Sequence, residues 1–407
     1  MSANTPLSIL GGLTAETFLR DYWQKKPLLI RGAFPDFASP LAPEELAGLA
    51  CEDGIEARLV EAQGPDKPWQ VSHGPFDDAT FARLPDREWT LLVQAVDHYV
   101  PEVAALLEAF DFLPRWRLDD VMVSYAPPEG SVGPHVDNYD VFLLQGSGQR
   151  RWQLGGEQPD DAPIVSGIDL RMLERFEVTA DEDWVLEPGD MLYLPPRIAH
   201  HGVSQSADCM TYSIGFRAPS ADEVITSFAD YLGEMQPDSR RYTDPDLAPC
   251  AHAGQLDDQA IARLRRLMLS VIDDPAQMAQ WFGRVMTQPK YVDQLAPLDT
   301  PMDSAATAEA LAQGRYLERA LGSRFAFHDE DGETTLFVDG DGHACPPPLA
   351  RLLADTTPLH AATLAEHLDD AALTLLTELL NRGSLQWQDE DAEDEDAEDE
   401  DAEDEEA

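Results

Sequence analysis

The 407-residue sequence has only four cysteines, Cys51, Cys209, Cys250 and Cys345, widely scattered and without a Cys-x-x-Cys pair. That spacing excludes a disulfide framework and a thiol zinc site, and it fits a reducing compartment. Cations are also few: 28 Lys and Arg face 77 Asp and Glu, for a formal net charge of −49. A chain this acidic neutralises phosphates poorly, so direct nucleic-acid binding is not expected. Its negative surface favours encounter with basic partners instead. Long apolar runs are missing as well; none reaches membrane-spanning length. The stretch Met1-Ser-Ala-Asn-Thr-Pro6 lacks a basic segment leading into an apolar one. These absences together predict a soluble, cytoplasmic protein.

What is present is enough for folded domains. An apolar fraction of 43% is ordinary for a globular protein, and the length suits two or three domains. Part of the acidity is a tail: Asp389 to Ala407 holds fifteen acids and no base, with Asp391-Ala-Glu-Asp-Glu395 recurring up to Glu405. Such a block repels itself and buries nothing, which predicts disorder over 389–407. Removing those fifteen acids from −49 leaves a body still near −34.

Local patterns divide the body. Thr14 can cap a helix carrying Phe18, Leu19, Tyr22 and Trp23, and Lys25-Lys-Pro-Leu-Leu-Ile-Arg-Gly32 then starts a buried strand. Residues 43–50 and 90–110 read as helical, the second through Leu91, Leu92, Ala95, Val96, Tyr99 and Val103. Val121–Tyr125 and Thr211–Phe216 read as strands. Two glycine-turn hairpins are expected: Val141–Leu144 with Arg151–Leu154, and Trp184–Leu186 with Met191–Leu194. Short strands at this spacing predict a jelly-roll barrel. After Pro219 the character becomes helical over 221–235 and 257–272, then a hairpin is bracketed by Arg324–His328 and Thr334–Val338, and 361–381 is helical again. Helices plus one hairpin predict a small winged-helix-like domain. Fifteen acids against five arginines over 295–388 argue against its use on DNA.

The chemistry centres on Gly133-Pro-His-Val-Asp137. In an extended segment residues i and i+2 face the same side, so His135 and Asp137 can converge on one point. A third ligand is offered by His200 or His201, which follow the turn in Gly189-Asp-Met-Leu-Tyr-Leu-Pro-Pro-Arg197. Two histidines and a carboxylate on one face of a metal, with open positions opposite, is the donor set of non-haem Fe(II) oxygenases. His73 and His98 have no carboxylate at ligand spacing and read as structural or surface residues. Of Arg150 and Arg151, adjacent on a strand, only one can enter a barrel.

These residues resemble the JmjC/cupin-type ribosomal oxygenases, most closely the bacterial ribosomal-protein arginine hydroxylases. The likeness is carried by Tyr22–Ala33, by Val132–Phe142, by Gln145-Gly146 with Arg150-Arg-Trp152, by Gly189–Pro196 and by Tyr212–Pro219, and it extends weakly through Trp281-Phe-Gly283. It implies a double-stranded β-helix (jelly-roll) barrel, mainly β plus α, with N-terminal helices over 1–220. A helical dimerisation region over 221–290 and a winged-helix-like domain over 291–388 follow. The acidic tail is outside the pattern. The resemblance also implies Fe(II), 2-oxoglutarate and O2, with His135, Asp137 and His200 matching the metal ligands. Arg150 matches the basic residue that holds the remote carboxylate of 2-oxoglutarate, and Ser124 a hydroxyl in the same pocket. Gln149 departs from the run of basic residues often found before the tryptophan.

The implied substrate is an arginine side chain of a basic large-subunit ribosomal protein, and the implied assembly is a homodimer. Other readings are a 2-oxoglutarate oxygenase acting on another peptidyl residue or a small molecule, and an inactive acidic adaptor. Strand parity puts Asp120 on the side of Met122 and Ser124. It puts Tyr139 with His135 and Asp137 if that segment stays extended. A carboxylate and an aromatic face suit a guanidinium, and Ser213 could add a hydrogen bond. The competing roles are a strand cap for Asp120 and simple packing for Tyr139.

Overall fold

The structure is a computed structural model that describes residues 5–62, 69–291 and 294–388. The acidic tail, with the disorder expected of it, lies outside these residues. The chain forms two compact units, Met1–Ala218 and Pro219–Ala407.

The first unit contains helices α1 (Ala15–Asp21), α2 (Pro43–Leu49), α3 (Asp78–Ala82) and α4 (Pro101–Ala105). Its strands are β1 (Leu28–Ile30), β2 (Ala57–Glu61), β3 (Gln70–His73), β4 (Trp89–Val93), β5 (Leu118–Ala126), β6 (Val141–Ser147), β7 (Arg150–Glu157), β8 (Asp183–Leu186), β9 (Met191–Leu194), β10 (Ile198–Ser204) and β11 (Cys209–Phe216). The expected cap is present, Thr14 Oγ1 accepting from the Thr17 amide at 3.1 Å.

Eight strands form one sheet in the order β1-β9-β6-β11-β5-β4-β2-β3, and β10-β7-β8 form a second. From β6 onward the chain passes repeatedly between the sheets, the jelly-roll arrangement. Alternate residues of the large sheet therefore serve two cores. Val123, Phe142, Tyr193 and Tyr212 face outward and pack with Phe18 and Phe110 of the N-terminal layer. Leu143 and Leu192 face inward and pack against Trp152, Leu154 and Leu186 of the small sheet.

Both expected hairpins are corrected by this topology. β6 pairs with β9 and β11, whereas β7 pairs with β8 and β10; β8 and β9 likewise belong to different sheets. The glycines at these turns redirect the chain rather than fold it back: Gly148 and Gly189 have φ of +60° and +84°. A β-carbon on Gly189 would fall 2.2 Å from the Phe34 carbonyl oxygen. The true antiparallel neighbours β7 and β8 are separated by the long connection 158–182.

The helix expected over 90–110 is also corrected. Its first part is β4, where Thr90, Leu91, Leu92 and Val93 are all buried. A continuous apolar run buried on both faces mimics helical periodicity. Ala95, at φ +52°, then breaks the chain direction, and Pro101 opens the short α4.

The second unit begins with α5 (Ala221–Met235), α6 (Asp258–Ile272) and α7 (Pro275–Thr287), N-capped by Ser220, Asp257 and Asp274. Phe228 and Leu232 pack with Trp281, while Ile261, Leu264 and Met268 remain exposed along α6. There follow α8 (Ser304–Ala312), β12 (Tyr316–Arg319), β13 (Phe325–Glu330), β14 (Glu333–Val338), β15 (Asp341–Ala344), α9 (Pro347–Asp355), α10 (Ala361–Leu364), α11 (Asp370–Asn381) and β16 (Leu385–Gln388). β13 and β14 pair as the expected hairpin, β15 extends their sheet, and β12 pairs with β16. This is a winged-helix unit around a leucine-rich core. The helix expected over 361–381 is broken because Asp369 caps α11, accepting from the Ala372 amide at 2.8 Å.

Candidate active site

His135 lies just before β6, and His200 lies on β10. Their backbones exchange two hydrogen bonds of 3.0 Å, an isolated bridge that sets the two imidazoles side by side with ring centroids 4.2 Å apart. The Asp137 carbonyl accepts from the Arg197 amide at 2.7 Å, so the Pro-Pro-Arg turn also fixes the carboxylate segment. One donor atom from each of His135, Asp137 and His200 falls within 4.8 Å of the others. His200 Nε2 is 3.5 Å from Asp137 Oδ2.

Each imidazole is oriented by a backbone carbonyl. His135 Nδ1 contacts Gly133 O at 3.0 Å and His200 Nδ1 contacts Ile198 O at 2.9 Å. With Nδ1–H donating, Nε2 keeps its lone pair for a metal. Burial, assisted by His135, pushes the His200 pKa down to about 4, which keeps that ring neutral and able to ligate. His201, one residue on, turns to the other face of β10 and meets Phe176 edge-on at 5.8 Å. His73 is an exposed residue 3.0 Å from Asp169, and His98 is buried; neither joins the cluster.

The two arginines separate as alternation requires. Arg151 is exposed and bonds to Asp183, Nε to Oδ1 at 2.7 Å. Arg150 is 3% exposed, and its Nε and one terminal nitrogen have no acceptor among the described residues. A buried cation without a carboxylate is costly, so this guanidinium suits an anionic ligand entering the barrel. Ser124 sits on the same inner surface, in register with Leu92 on β4 and Thr211 on β11, and Thr211 is in turn in register with Gln145 on β6. Its Oγ lies 3.5 Å from the Thr211 carbonyl oxygen.

Asp120 is buried on β5 and accepts from Gln94 Nε2 at 2.7 Å. Ser213 is half-buried on β11, opposite Met122 and Leu143. Residues 136–140 are irregular rather than extended, so the parity argument for Tyr139 does not hold. Tyr139 nevertheless lies in the field of the site: the Asp137 carboxylate, burial and Asp120 raise its phenol pKa, and its side chain stays partly open to solvent.

Three contributors carried no clear mark in the sequence as site residues. Asp140, fully buried, accepts from Tyr193 Oη at 2.7 Å, Gln24 Nε2 at 2.9 Å and Arg117 at 3.1 Å, anchoring the loop that carries Asp137 and Tyr139. Gln145 is buried, with Thr211 Oγ1 donating to it at 3.3 Å; it ends the apolar run Val141–Leu144 and opens the Gln145-Gly146 pair of the family likeness, which assigned it no site role. Trp152 lies beside His200 inside the barrel.

Comparison with known proteins agrees with this architecture. Residues 105–224 match the JmjC domain, and residues 270–386 match the ROXA-like winged helix. The chain is 40% identical over 368 residues to the ribosomal protein uL16 3-hydroxylase of Escherichia coli, covering 90% of this chain and 95% of that protein. A probable ribosomal oxygenase of Haemophilus influenzae is 39% identical over 263 residues, 63% of this chain and 64% of the relative. Among solved structures, E. coli YcfD superposes with a TM-score of 0.85 at 38% identity, covering 92% of this chain and 98% of that one. Its complex with cobalt and 2-oxoglutarate gives 0.82 at 37% identity, covering 93% and 99%. With a His-Asp-His cluster inside a jelly roll, a winged helix later in the sequence and 40% identity across 95% of a ribosomal hydroxylase, the chain belongs to the JmjC-domain ribosomal oxygenases.

Proposed function

We propose that this protein is an Fe(II)- and 2-oxoglutarate-dependent dioxygenase that hydroxylates an arginine side chain of a large-subunit ribosomal protein. The observation that carries this reading is the pairing of the three-donor cluster with the buried guanidinium of Arg150, which has no acceptor among the described residues. His135, Asp137 and His200 would hold the metal, and Arg150 and Ser124 the remote carboxylate of 2-oxoglutarate. Bound iron and 2-oxoglutarate supply oxidative decarboxylation that activates O2 for insertion into a C–H bond.

The protein's own contribution is placement. The backbone bridge between His135 and His200 would hold the two imidazoles together for a bound metal. A planar, permanently charged guanidinium suits a carboxylate in two-point contact. Asp120 and Tyr139 would supply a counter-charge and an aromatic face to an incoming basic side chain, a reading supported by the electrostatic coupling of Tyr139 to Asp137 and Asp120, and Ser213 would add a hydroxyl. An acidic body suits a basic ribosomal-protein substrate in the cytoplasm. No helix among the described residues is long and apolar enough to cross a membrane. The exposed apolar row of α6 supports a homodimer.

The test is succinate formation from 2-oxoglutarate, measured with and without added Fe(II) and with an arginine-containing peptide taken from the uL16 sequence. Iron-dependent turnover stimulated by the peptide is expected. No turnover at all would identify an inactive adaptor, and turnover indifferent to the peptide would direct the search to another substrate.

A further inference from the structure

Arg197 stands at φ +69°, a left-handed backbone that suits glycine and strains an arginine. It immediately precedes β10, whose entry is irregular: Ile198 is in register with Glu157, but His200 with Leu154. A strained residue at the head of a strand that carries a metal ligand persists only when its contacts hold it. Those of Arg197 run to two other segments of the chain.

The first is the loop of Asp137. His135 is fixed at one end by its backbone bridge to His200, and Asp140 at the other by Tyr193, Gln24 and Arg117. Among the described residues, the hydrogen bonds that reach 136–139 between these anchors come from Arg197. Its amide donates to the Asp137 carbonyl at 2.7 Å, and its Nη1 donates to Asn138 Oδ1 at 3.3 Å. The second segment is the start of the connection 158–182. Arg197 Nε and Nη2 both donate to the Gln158 carbonyl, at 2.8 and 2.6 Å, and the Gln158 amide donates back to the Arg197 carbonyl at 3.0 Å. Farther on, this connection returns to the ligand loop. The Leu173 amide donates to the Pro134 carbonyl at 2.8 Å, and a β-carbon on Gly133 would fall 2.4 Å from the Met172 methyl. The guanidinium therefore joins the carboxylate loop, the strand of His200 and the connection that packs over both.

Resting on the proposed metal chemistry, we propose that Arg197 is a positioning residue whose guanidinium sets the Asp137 carboxylate against the two imidazoles. His135 and His200 are paired through their backbones without it. Asp137, on an irregular loop, is the ligand that depends on it. A residue needed only to turn the chain at φ +69° would be served at least as well by glycine. An arginine there is explained by what its side chain ties together.

The experiment is titration of the full-length, metal-free protein with Co(II), followed by visible absorption, in wild type, Arg197→Gly, Asn138→Ala and the double variant. Arg197→Gly keeps the backbone donor to Asp137, accepts the left-handed conformation and removes the guanidinium. It is expected to weaken Co(II) binding by about tenfold or more, the range for losing a group that orients a metal ligand, and to shift the Co(II) bands as the carboxylate loosens. Asn138→Ala is expected to weaken binding in the same direction, and the double variant to lose less than the two single losses multiplied, because both remove one contact. An Arg197→Gly protein with wild-type Co(II) affinity and spectrum, whatever its thermal stability, would overturn the assignment of Arg197 alone. If that variant does not fold, an Asn138→Ala protein with wild-type Co(II) affinity would overturn it instead. A wild-type protein that binds no Co(II) would overturn the functional reading and this inference with it.

Discussion

At the scale of single residues, the choice between adjacent side chains is made by which face of a strand they occupy. His200 points inward and His201 outward on β10, and the same alternation separates Arg150 from Arg151 on β7. His200→Ala should therefore abolish Fe(II)-dependent succinate formation, while His201→Ala should retain much of it; the reverse pattern would transfer the ligand role. Asp120 carries a different prediction because it is not one of the three clustered donors. Asp120→Asn should leave 2-oxoglutarate and metal binding intact and lower peptide hydroxylation by roughly tenfold or more, since a charge-assisted contact is worth about 1.5–3 kcal/mol. The ratio of succinate to hydroxylated peptide should rise in that variant. Unchanged peptide kinetics would leave Asp120 as a strand residue held by Gln94.

At the scale of elements, the sequence is most readable where a motif and its strand coincide. His135-x-Asp137 and the turn before His200 identify the metal cluster because each ligand sits beside its own glycine and proline punctuation. The strands β5, β6, β9 and β11 are likewise legible from their apolar runs. Their partners are not: a glycine turn between two runs looks the same whether the chain folds back within a sheet or crosses to another. β4 is hidden for a related reason, since a run buried on both faces lacks the alternation that marks a half-exposed strand. The anchor Asp140 is invisible because its three donors come from distant points in sequence, Gln24, Arg117 and Tyr193. Helix α6 is readable from its pattern over 257–272, with Asp257 proving to be its cap, and it offers an element-scale prediction. Ile261, Leu264 and Met268 form one exposed row at spacings of three and four residues. Paired Leu264→Glu and Met268→Glu substitutions should convert a dimer to a monomer in light scattering; a wild-type monomer at micromolar concentration would remove α6 as an interface.

At the scale of the whole molecule, charge is the dominant feature. A body near −34 before the fifteen tail acids are counted is a long-range attractor for a basic substrate. Peptide KM should rise with ionic strength while the KM for 2-oxoglutarate, governed by buried contacts, changes little. Removing 389–407 should reduce the salt sensitivity without affecting basal 2-oxoglutarate turnover. Equal salt dependence for both substrates would show that the surface charge does not guide encounter.

The most direct test of the proposed activity is tandem mass spectrometry of a large-subunit ribosomal-protein peptide incubated with this protein, Fe(II), 2-oxoglutarate and O2. The expected result is the gain of a single oxygen, located on the arginine side chain and absent with the His200→Ala variant. An oxygen placed on any other residue, or the same gain from the variant, would contradict the assignment.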